Sequence, residues 1–408
     1  MNKNRVTTYT AIRDSNKNHS KRHKSNVIHS TDSQNEDCIT QNTTHNIQYS
    51  TQNTFNQSYA ENGQIISCSN QTNECNYIND NYSDISDGDL NGYTDDIENL
   101  LQELYPNEKS SGAKMLPPVI RYSKKWTLNI TELSSQLWCE RSIELTLITG
   151  IRPETKAMKE GMARHEVLEQ LDHELVHVTI TSNEEDLGIK MLNSITLLKN
   201  LLQTGKCREV WVFGTYSSYV LRGIVDQLEI VSLAGRKVVK ISDTKTRRVK
   251  NEPSQAQKQL SALQVQAYYL LINDLKNKNV DFGKLYKYSE LNPNKPFIIP
   301  ELKDYNCLKM LEKHFLDSFE KLPEVYSVME ISYECEGEIF SVDNVKLEYN
   351  NLIRTIEYCL EFWDGNRSSE LVQPFEAWKC KFCHLLDKCE ESPYKSQTST
   401  QSLANDSS

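Results

Sequence analysis

Two aspartates and a lysine are the residues whose types and spacing best suggest chemistry. Asp226 lies in an alternating apolar run, Asp243 ends the strand-like run that follows, and Lys245 comes two positions later. A turn at 233–235 separates the runs, so residues 223–250 are predicted to form a β-hairpin. Because residues two apart in an extended chain project from the same face, Asp243 and Lys245 share one side of it.

This triplet fits metal-assisted hydrolysis of a phosphodiester. Carboxylate oxygens are ligands that Mg²⁺ prefers, and a nearby cation can orient the attacking water or stabilise charge at phosphorus. The spacing alone is weak, because an acid and a lysine two apart also occur on ordinary solvated hairpins. Arg247, Arg248 and Lys250 extend the triplet into a basic strip suited to nucleic-acid binding.

Helical and extended patterns on either side of the hairpin would position these groups. A helix over 155–175 turns His165 inward, although a lone helical histidine is more often structural. A helix from Pro253 to Leu275 places Gln264 and Tyr268 on one face. The remaining predicted elements are helices over 134–147, 187–202, 306–320 and 346–362, and strands over 209–216 and 284–288.

A second chemical pattern, C-x₂-C-x₅-C, lies near the C-terminus. Cys380, Cys383 and Cys389 supply three metal-binding thiols, one short of the usual set. His384 is a poor fourth ligand because it is adjacent to Cys383, whereas Cys139 lies ahead of the hairpin and beside a tryptophan. Spacing alone leaves zinc and a [4Fe–4S] cluster equally open. The other cysteines lack paired spacing: Cys38, Cys68, Cys75, Cys207, Cys307, Cys335 and Cys359.

Composition bounds the class of protein. The 408-residue chain has an ordinary apolar fraction and no apolar run long enough for a bilayer span or a signal peptide. We therefore expect an intracellular protein with reduced cysteines and no membrane partner. The net charge of −10 argues against tight non-specific duplex binding, but it is compatible with a narrow basic channel.

The domain organisation follows from shifts in composition. Residues 1–115 are polar and lack apolar periodicity, so we expect them to be disordered; residues 116–391 form one folded domain, and 392–408 a disordered tail. The basic run 21–24 is compatible with a nuclear address, a mitochondrial presequence or a solvated tail.

Six short motifs occur in a recognisable order. They are the isolated Cys139, then GxxxHE at 161–166, GxxD at 223–226, D-x-K at 243–245, QxxxY at 264–268 and C-x₂-C-x₅-C at 380–389. Over about residues 131–389 this order resembles the iron–sulfur branch of the RecB-type PD-(D/E)XK nucleases, and most closely exonuclease V. Each motif is weak alone, but six in one order, with cysteines bracketing the core, are specific.

The resemblance implies a fold and a cluster. The fold is an α/β, PD-(D/E)XK restriction-endonuclease-like core, with a central mixed sheet flanked by helices. A helical region stapled by a [4Fe–4S] cluster joins it, with Cys139, Cys380, Cys383 and Cys389 as ligands. The resemblance thus favours iron–sulfur over zinc, and a structural cluster over an electron-transfer centre.

It also implies roles at the hairpin. Asp226 and Asp243 would bind the catalytic Mg²⁺, Lys245 would orient the water, and His165 would assist at the metal. One departure is visible, because Asp243 stands where exonuclease V relatives commonly carry glutamate. Its shorter side chain would shift the metal toward the sheet.

The implied activity is Mg²⁺-dependent exonucleolytic hydrolysis of single-stranded DNA, with a preference for 5′ ends, release of short oligonucleotides and a role in DNA repair. Gln264 and Tyr268 would position the scissile strand. We expect a monomer in the nucleus, with the mitochondrion as alternative, and a single-strand-binding protein as a partner. The alternatives are a flap endonuclease on the same core and a non-catalytic, metal-stapled nucleic-acid-binding module.

Overall fold

The computed structural model describes residues 7–13, 64–66, 116–122, 124–152, 155–172 and 174–395. The strands are β1 Thr7–Arg13, β2 Gln64–Ile66, β3 Thr127–Asn129, β4 Glu174–Ile180, β5 Lys206–Tyr216, β6 Tyr219–Leu233, β7 Arg236–Arg247, β8 Glu324–Val325, β9 Val328–Cys335 and β10 Glu338–Lys346. The helices are α1 Pro118–Arg121, α2 Ile130–Ser135, α3 Glu140–Thr149, α4 Lys156–Asp172, α5 Asn183–Thr204, α6 Gln255–Lys276, α7 Phe282–Ser289, α8 Leu308–Glu320 and α9 Tyr349–Trp363. Short 3₁₀ segments lie at Pro300–Leu302, Pro374–Phe382 and Leu386–Lys388.

The larger sheet contains both parallel and antiparallel pairs. β5, β6 and β7 form an antiparallel meander, and β9 and β10 form an antiparallel hairpin. β9 and β8 join β7 in parallel, and β3 joins β6 in parallel. Helices α5 and α6 pack on β5, and α6 also contacts β6, β7 and β9. The prediction of a central mixed sheet flanked by helices is therefore confirmed.

β6 and β7 stop pairing with each other before either strand ends. The last pair of their ladder joins Gln227 to Ser242, so Asp226 and Asp243 occupy the first positions beyond it. Beyond this point, the C-terminal part of β7 pairs with β9. The N-terminal part of β6 pairs with β5, and it meets β3 only at 220–222. The two strands form a fork, and the aspartates lie where it opens.

The predicted hairpin is confirmed, and its turn has an evident local cause. Ala234 and Gly235 link β6 to β7 with φ values of +48° and +80°, the left-handed conformation that such two-residue turns require. The long helix that follows is also confirmed. It starts with a capping box between Ser254 and Gln257, so Pro253 precedes the N-cap instead of lying in the first turn.

The prediction of a single helix over 134–147 is wrong. The chain forms α2 and α3, with a tight turn between them in which the backbone N–H groups of Trp138 and Cys139 both donate to the carbonyl of Ser135. Cys139 is the N-cap of α3 and has an extended backbone (φ −169°). Apolar residues continue at helical spacing across the break: Ile130 and Leu133 are buried in α2, and the partly buried Ile143 and Leu147 of α3 pack against the core.

Two other predictions of secondary structure need correction. The helix predicted over 155–175 ends at Asp172 and gives way to β4, where the run ELVHVTI is rich in strand-favouring residues. The strand predicted over 284–288 is helix α7. Asp281 caps it by accepting from the Lys284 N–H at 3.1 Å, and Phe282, Leu285 and Tyr286 are buried at spacings of three and four.

The sequence interpretation also missed the β9–β10 hairpin, which forms the far edge of the sheet. In the region predicted to be disordered, β1 and β2 pair with β4 in a small separate sheet. The remaining residues of that region, and those after 395, lie outside the described residues, so disorder there stays a prediction. Among the described helices, none is long and apolar enough to cross a membrane.

Gly223, in the middle of β6, provides a test of the packing between the sheet and α6. A Cβ atom there would lie 2.6 Å from Cε1 of Tyr268, which is buried in the core. Gly223→Ala should therefore lower the free energy of unfolding by about 1–3 kcal/mol, measured by urea denaturation. The cost should shrink in a Tyr268→Ala background. An equal cost in both backgrounds would contradict this close contact.

Candidate active site

The fork between β6 and β7 brings the predicted triplet together. Asp226 and Asp243 are 9% and 1% exposed. The Thr244 N–H donates to Asp226 Oδ2 at 3.1 Å, which ties the two strands at the branch point. Lys245 Nζ donates to Asp243 Oδ1 at 3.1 Å and lies 2.8 Å from Oδ2 of the same carboxylate. The three side chains thus occupy one small volume.

Helix α6 supports the lysine from above the sheet. Lys245 Nζ donates to Gln264 Oε1 at 3.0 Å, and Gln264 Nε2 donates to the hydroxyl of Tyr268 at 3.1 Å. Gln264 and Tyr268 are both buried, and the Tyr268 ring lies against Gly223. In this arrangement the pair fixes the Lys245 ammonium, whereas contact with a DNA strand stays a prediction.

His165 reaches the fork from α4. Its Nε2 atom lies 3.7 Å from Asp226 Oδ2, and its Nδ1 atom lies 3.3 Å from Oε1 of Glu209 on β5. One ligand atom from each of these three residues falls within 4.8 Å of the others, the spacing expected of groups that could hold one metal ion. The structure therefore adds a third carboxylate beside the predicted pair.

Glu209 was not among the residues singled out from the sequence. The pairs Arg208–Gln227 and Val210–Val225 flank it, so Glu209 lies opposite Asp226 across the β5–β6 ladder. Its φ is +56°, which is uncommon for a non-glycine residue and costs of order 1 kcal/mol. The sequence did contain a signal for Glu209, because the turn after Tyr216 sets the register of β5 and β6. Tyr216 pairs with Tyr219, and the same number of residues back along β5 and forward along β6 leads to Glu209 and Asp226.

Burial and like charge shift the proton affinities of these groups. The hydrogen bond to Glu209, with the charges of Asp226 and Asp243, raises the pKa of His165 to about 9 against the opposing effect of burial. Burial and the neighbouring Asp226 raise the pKa of Asp243 to about 6, although Lys245 opposes the shift. Burial works to lower the pKa of Lys245, but the two aspartates outweigh it and raise that pKa.

Several ion pairs hold α4 over the fork. Arg164 makes a bidentate pair with Glu334 on β9, at 2.6 and 2.9 Å, and Glu334 is buried. Glu160 accepts from Arg248 at 2.7 Å. Because Arg164 adjoins His165, its pairing fixes the rotation of the helix and the direction of the imidazole.

The predicted basic strip lies beside this helix, but its side chains already have protein partners. Arg247 donates to Asn251, Arg248 pairs with Glu160, and Lys250 pairs with Glu338 at 2.6 Å. Arg248 and Lys250 are about half exposed. Exposed pairs of this kind contribute little stability, so a phosphate could displace the acidic partner at small cost.

The four predicted cluster cysteines converge from the two ends of the domain. Burial raises the pKa of Cys139, and the nearby thiols of Cys383, Cys380 and Cys389 raise it further. Burial likewise raises the pKa values of Cys383 and Cys389. All cysteines in the described residues are free thiols. His384 is exposed, and burial lowers its pKa.

A set of carboxylate contacts joins the same two ends beside the cysteines. Arg367 pairs with Glu140 through both terminal nitrogens and also donates to the carbonyl of Tyr358 at 2.8 Å. The Glu370 N–H donates to Glu140 at 3.0 Å, and the Arg141 N–H donates to the carbonyl of Glu370 at 3.0 Å. The start of α3 is therefore held against the C-terminal segment independently of any metal.

Fold and site together define a mixed α/β protein with a buried acid–histidine–lysine group of the kind that metal-assisted hydrolases use. Residues 118–233, 231–324 and 299–391 match the family described as "Exonuclease V - a 5' deoxyribonuclease". These matches cover well over half of the sequence, and the chain belongs to the exonuclease V family. It is accordingly a nuclease, a hydrolase of the 5′ DNA exonuclease class.

One known protein agrees with this assignment. The chain is 27% identical to Exonuclease V of Danio rerio in an alignment 337 residues long that covers 77% of this chain and 81% of the zebrafish protein. The solved structure titled "Crystal structure of SSO0001" covers 73% of this chain and 96% of its own, with 13% identity and a TM-score of 0.30. A likeness at that TM-score supports no conclusion about fold or function.

The shifted pKa values predict how a divalent ion would bind at the fork. At pH 7.5 His165 carries a proton and Asp243 does not, so coordination by a neutral imidazole must release about one proton. Affinity should rise with pH between about 6 and 9, because acid protonates first His165 and then Asp243. Calorimetry with Mn²⁺ in buffers of different ionisation enthalpy measures this release. His165→Gln should release almost no protons. An absence of proton release from the wild type would contradict coordination of the ion by His165.

Proposed function

We propose that this protein is a Mg²⁺-dependent exonuclease that hydrolyses single-stranded DNA from 5′ ends, on a PD-(D/E)XK core. The observation that carries the proposal is the meeting of Asp226, Asp243 and Lys245 where β6 and β7 diverge, with His165 beside them. Family membership supports a DNA exonuclease acting from the 5′ end. Strand preference and metal are the parts that need testing.

The residues at the fork fit a hard divalent cation. Asp243 Oδ2 is fully buried and has no hydrogen-bond partner, although the Lys245 nitrogen lies 2.8 Å away. Three carboxylates face two cationic side chains, so the group has an excess of negative charge. Asp226 and Asp243 would hold Mg²⁺, with His165 completing the set. When bound, Mg²⁺ supplies an activated water and neutralises charge on the scissile phosphate.

The protein side chains then have distinct tasks. Lys245, held by Asp243 and Gln264, presents its ammonium to the attacking water and to the charge that develops at phosphorus. Glu209 accepts from Nδ1 of His165 and so leaves Nε2 facing Asp226. A carboxylate behind a metal-binding histidine fixes its tautomer and ring direction.

The test of the catalytic assignment is substitution at the fork. Asp226→Ala and Lys245→Ala should each lower the rate of cleavage of a 5′-labelled single strand by at least about 10²-fold, since each removes a charge needed in the transition state. Lys237→Ala is the matched control on the exposed end of β7 and should cut normally. Cleavage by both fork variants at the wild-type rate would refute the assignment.

Circular single strands separate this activity from the alternatives. An end-loading exonuclease should leave them intact under conditions that degrade the linear strand. Cutting of circles would indicate a structure-selective endonuclease instead. Strand binding without any Mg²⁺-dependent cleavage would indicate a non-catalytic binding module.

The proposal includes a [4Fe–4S] cluster on Cys139, Cys380, Cys383 and Cys389. What supports it is the convergence of four thiols: burial, and after it the charge of neighbouring thiols, raises the pKa values of Cys139, Cys383 and Cys389, and the cationic core of a bound cluster would offset that repulsion. The cluster would add a second tie between the start of α3 and the C-terminal segment. We assign the cluster a structural role. We further propose that the protein acts in DNA repair with the assistance of a single-strand-binding protein.

Loss of one thiol tests this cluster. Protein purified without oxygen should be brown and contain about four iron atoms per chain. Cys383→Ser should be colourless and less stable to heat, because metal binding is coupled to folding. Cys307→Ser, at another partly buried cysteine, should keep both colour and iron. Colourless wild-type protein loaded with zinc would contradict the proposal.

A further inference from the structure

One glycine in the described part of the chain has no structural reason to be glycine. Five others have positive φ values: Gly150, Gly205, Gly235, Gly337 and Gly365. Four more meet a neighbouring side chain at 3.0 Å or less from the position of a Cβ atom: Gly188, Gly214, Gly223 and Gly283. Gly161 lies inside helix α4, without a positive φ, and nothing lies within 4 Å of the position of its Cβ.

Glycine is a poor choice at such a position. In a helix interior it is the worst helix former after proline, and alanine would fit the empty space without a clash. The cost to the helix is not offset by close packing within the described chain. The space beside Gly161 is therefore open to a bound molecule.

The helix periodicity shows where this space lies. Arg164 and His165 follow Gly161 by three and four residues, so all three share one face of α4. Arg164 pairs with Glu334 on the sheet and His165 reaches Asp226, hence this face is turned toward the sheet and the fork. Glu160, on the preceding position, pairs with Arg248 of the basic strip. The open space at Gly161 thus lies between the strip and the fork.

The neighbouring side chains are apolar and accessible. Met158 and Met162 are 54% and 37% exposed, and with His165 they form a row at helical spacing that leads away from the fork. Four residues of helix rise by about 6 Å, so Gly161 lies roughly one nucleotide from His165 along such a row. The sugar and base of a nucleotide at this position would need apolar contacts, which Met158 and Met162 can provide, whereas a charged side chain would suit only its phosphate.

We infer that Gly161 admits the nucleotide next to the scissile phosphate, which packs directly against the α4 backbone. This inference rests on the proposed function and identifies a residue that determines access of the strand. Met158 and Met162 extend the contact to the next base. A side chain at position 161 would occupy the place of the nucleotide while leaving the acids, Lys245 and His165 undisturbed.

The test is a size series at this position. Gly161→Ala and Gly161→Leu both introduce good helix formers, so both should raise the melting temperature by about 1–3 °C. The affinity for an end-labelled single strand, measured by fluorescence anisotropy in EDTA, should fall about 5-fold for alanine and at least 50-fold for leucine. kcat/KM with Mg²⁺ should fall in the same order. Ala163→Leu adds the same bulk on the opposite, exposed face of the helix and should change neither quantity.

The possible outcomes distinguish a failure of the role proposed for Gly161 from a failure of the proposed nuclease activity. If Gly161→Ala already abolishes strand binding and Gly161→Leu has no larger effect, the glycine is needed because α4 must flex. That result would overturn the inference. Wild-type affinity and rate in Gly161→Leu would overturn it as well, while leaving the nuclease assignment intact. A wild-type protein that binds single strands but does not cut them defeats the proposed catalysis, and the affinity series still decides the role of Gly161. If the wild type neither binds nor cuts, both proposals fail.

Discussion

The structure depends on how it accommodates excess negative charge at the point where two strands separate. Asp226 and Asp243 leave the β6–β7 ladder at the same step and are both buried, with Glu209 opposite Asp226 on β5. Burying carboxylates together is unfavourable unless cations or hydrogen bonds compensate. Lys245, His165 and the Thr244 N–H supply part of that compensation. A divalent cation bound at the fork, as we propose, would offset the deficit that remains.

The rest of the fold can be understood as support for that arrangement. Helix α6 holds the lysine through Gln264, and Gly223 lets the Tyr268 ring approach the sheet. The Arg164–Glu334 and Glu160–Arg248 pairs hold helix α4 with His165 facing the fork. At the far end of the domain, Glu140 and Arg367 join α3 to the C-terminal segment beside the four cysteines. This joint is built from an ion pair and a backbone hydrogen bond to Glu140, and the proposed cluster would add a second connection between the same two segments.

Local spacing predicted the site better than it predicted the elements around it. The hairpin could be predicted because alternation and a glycine turn specify both pairing and register. Asp243 and Lys245 then had to share a face. Glu209 was missed because its role comes from cross-strand pairing with Asp226, which appears only when the register is counted from the preceding turn.

The errors have similar causes. Residues 284–288 looked extended because tyrosine favours strands, but the Asp281 cap and four buried side chains make the segment helical. Cys139 seemed to lie within a helix because the apolar period continues across the break. Gly161 was noted as part of a motif, yet the open space beside it is a property of tertiary structure alone.

The central claim is that Asp226, Asp243 and His165 share one divalent ion at the fork. Pulsed EPR on the protein loaded with one equivalent of Mn²⁺ tests it most directly, because the electron-spin echo is modulated by a coordinated imidazole nitrogen. We expect nitrogen modulation in the wild type that disappears in His165→Gln, and greatly weakened Mn²⁺ binding in Asp226→Asn. Mn²⁺ that binds without nitrogen modulation and with unchanged affinity in Asp226→Asn would contradict the account.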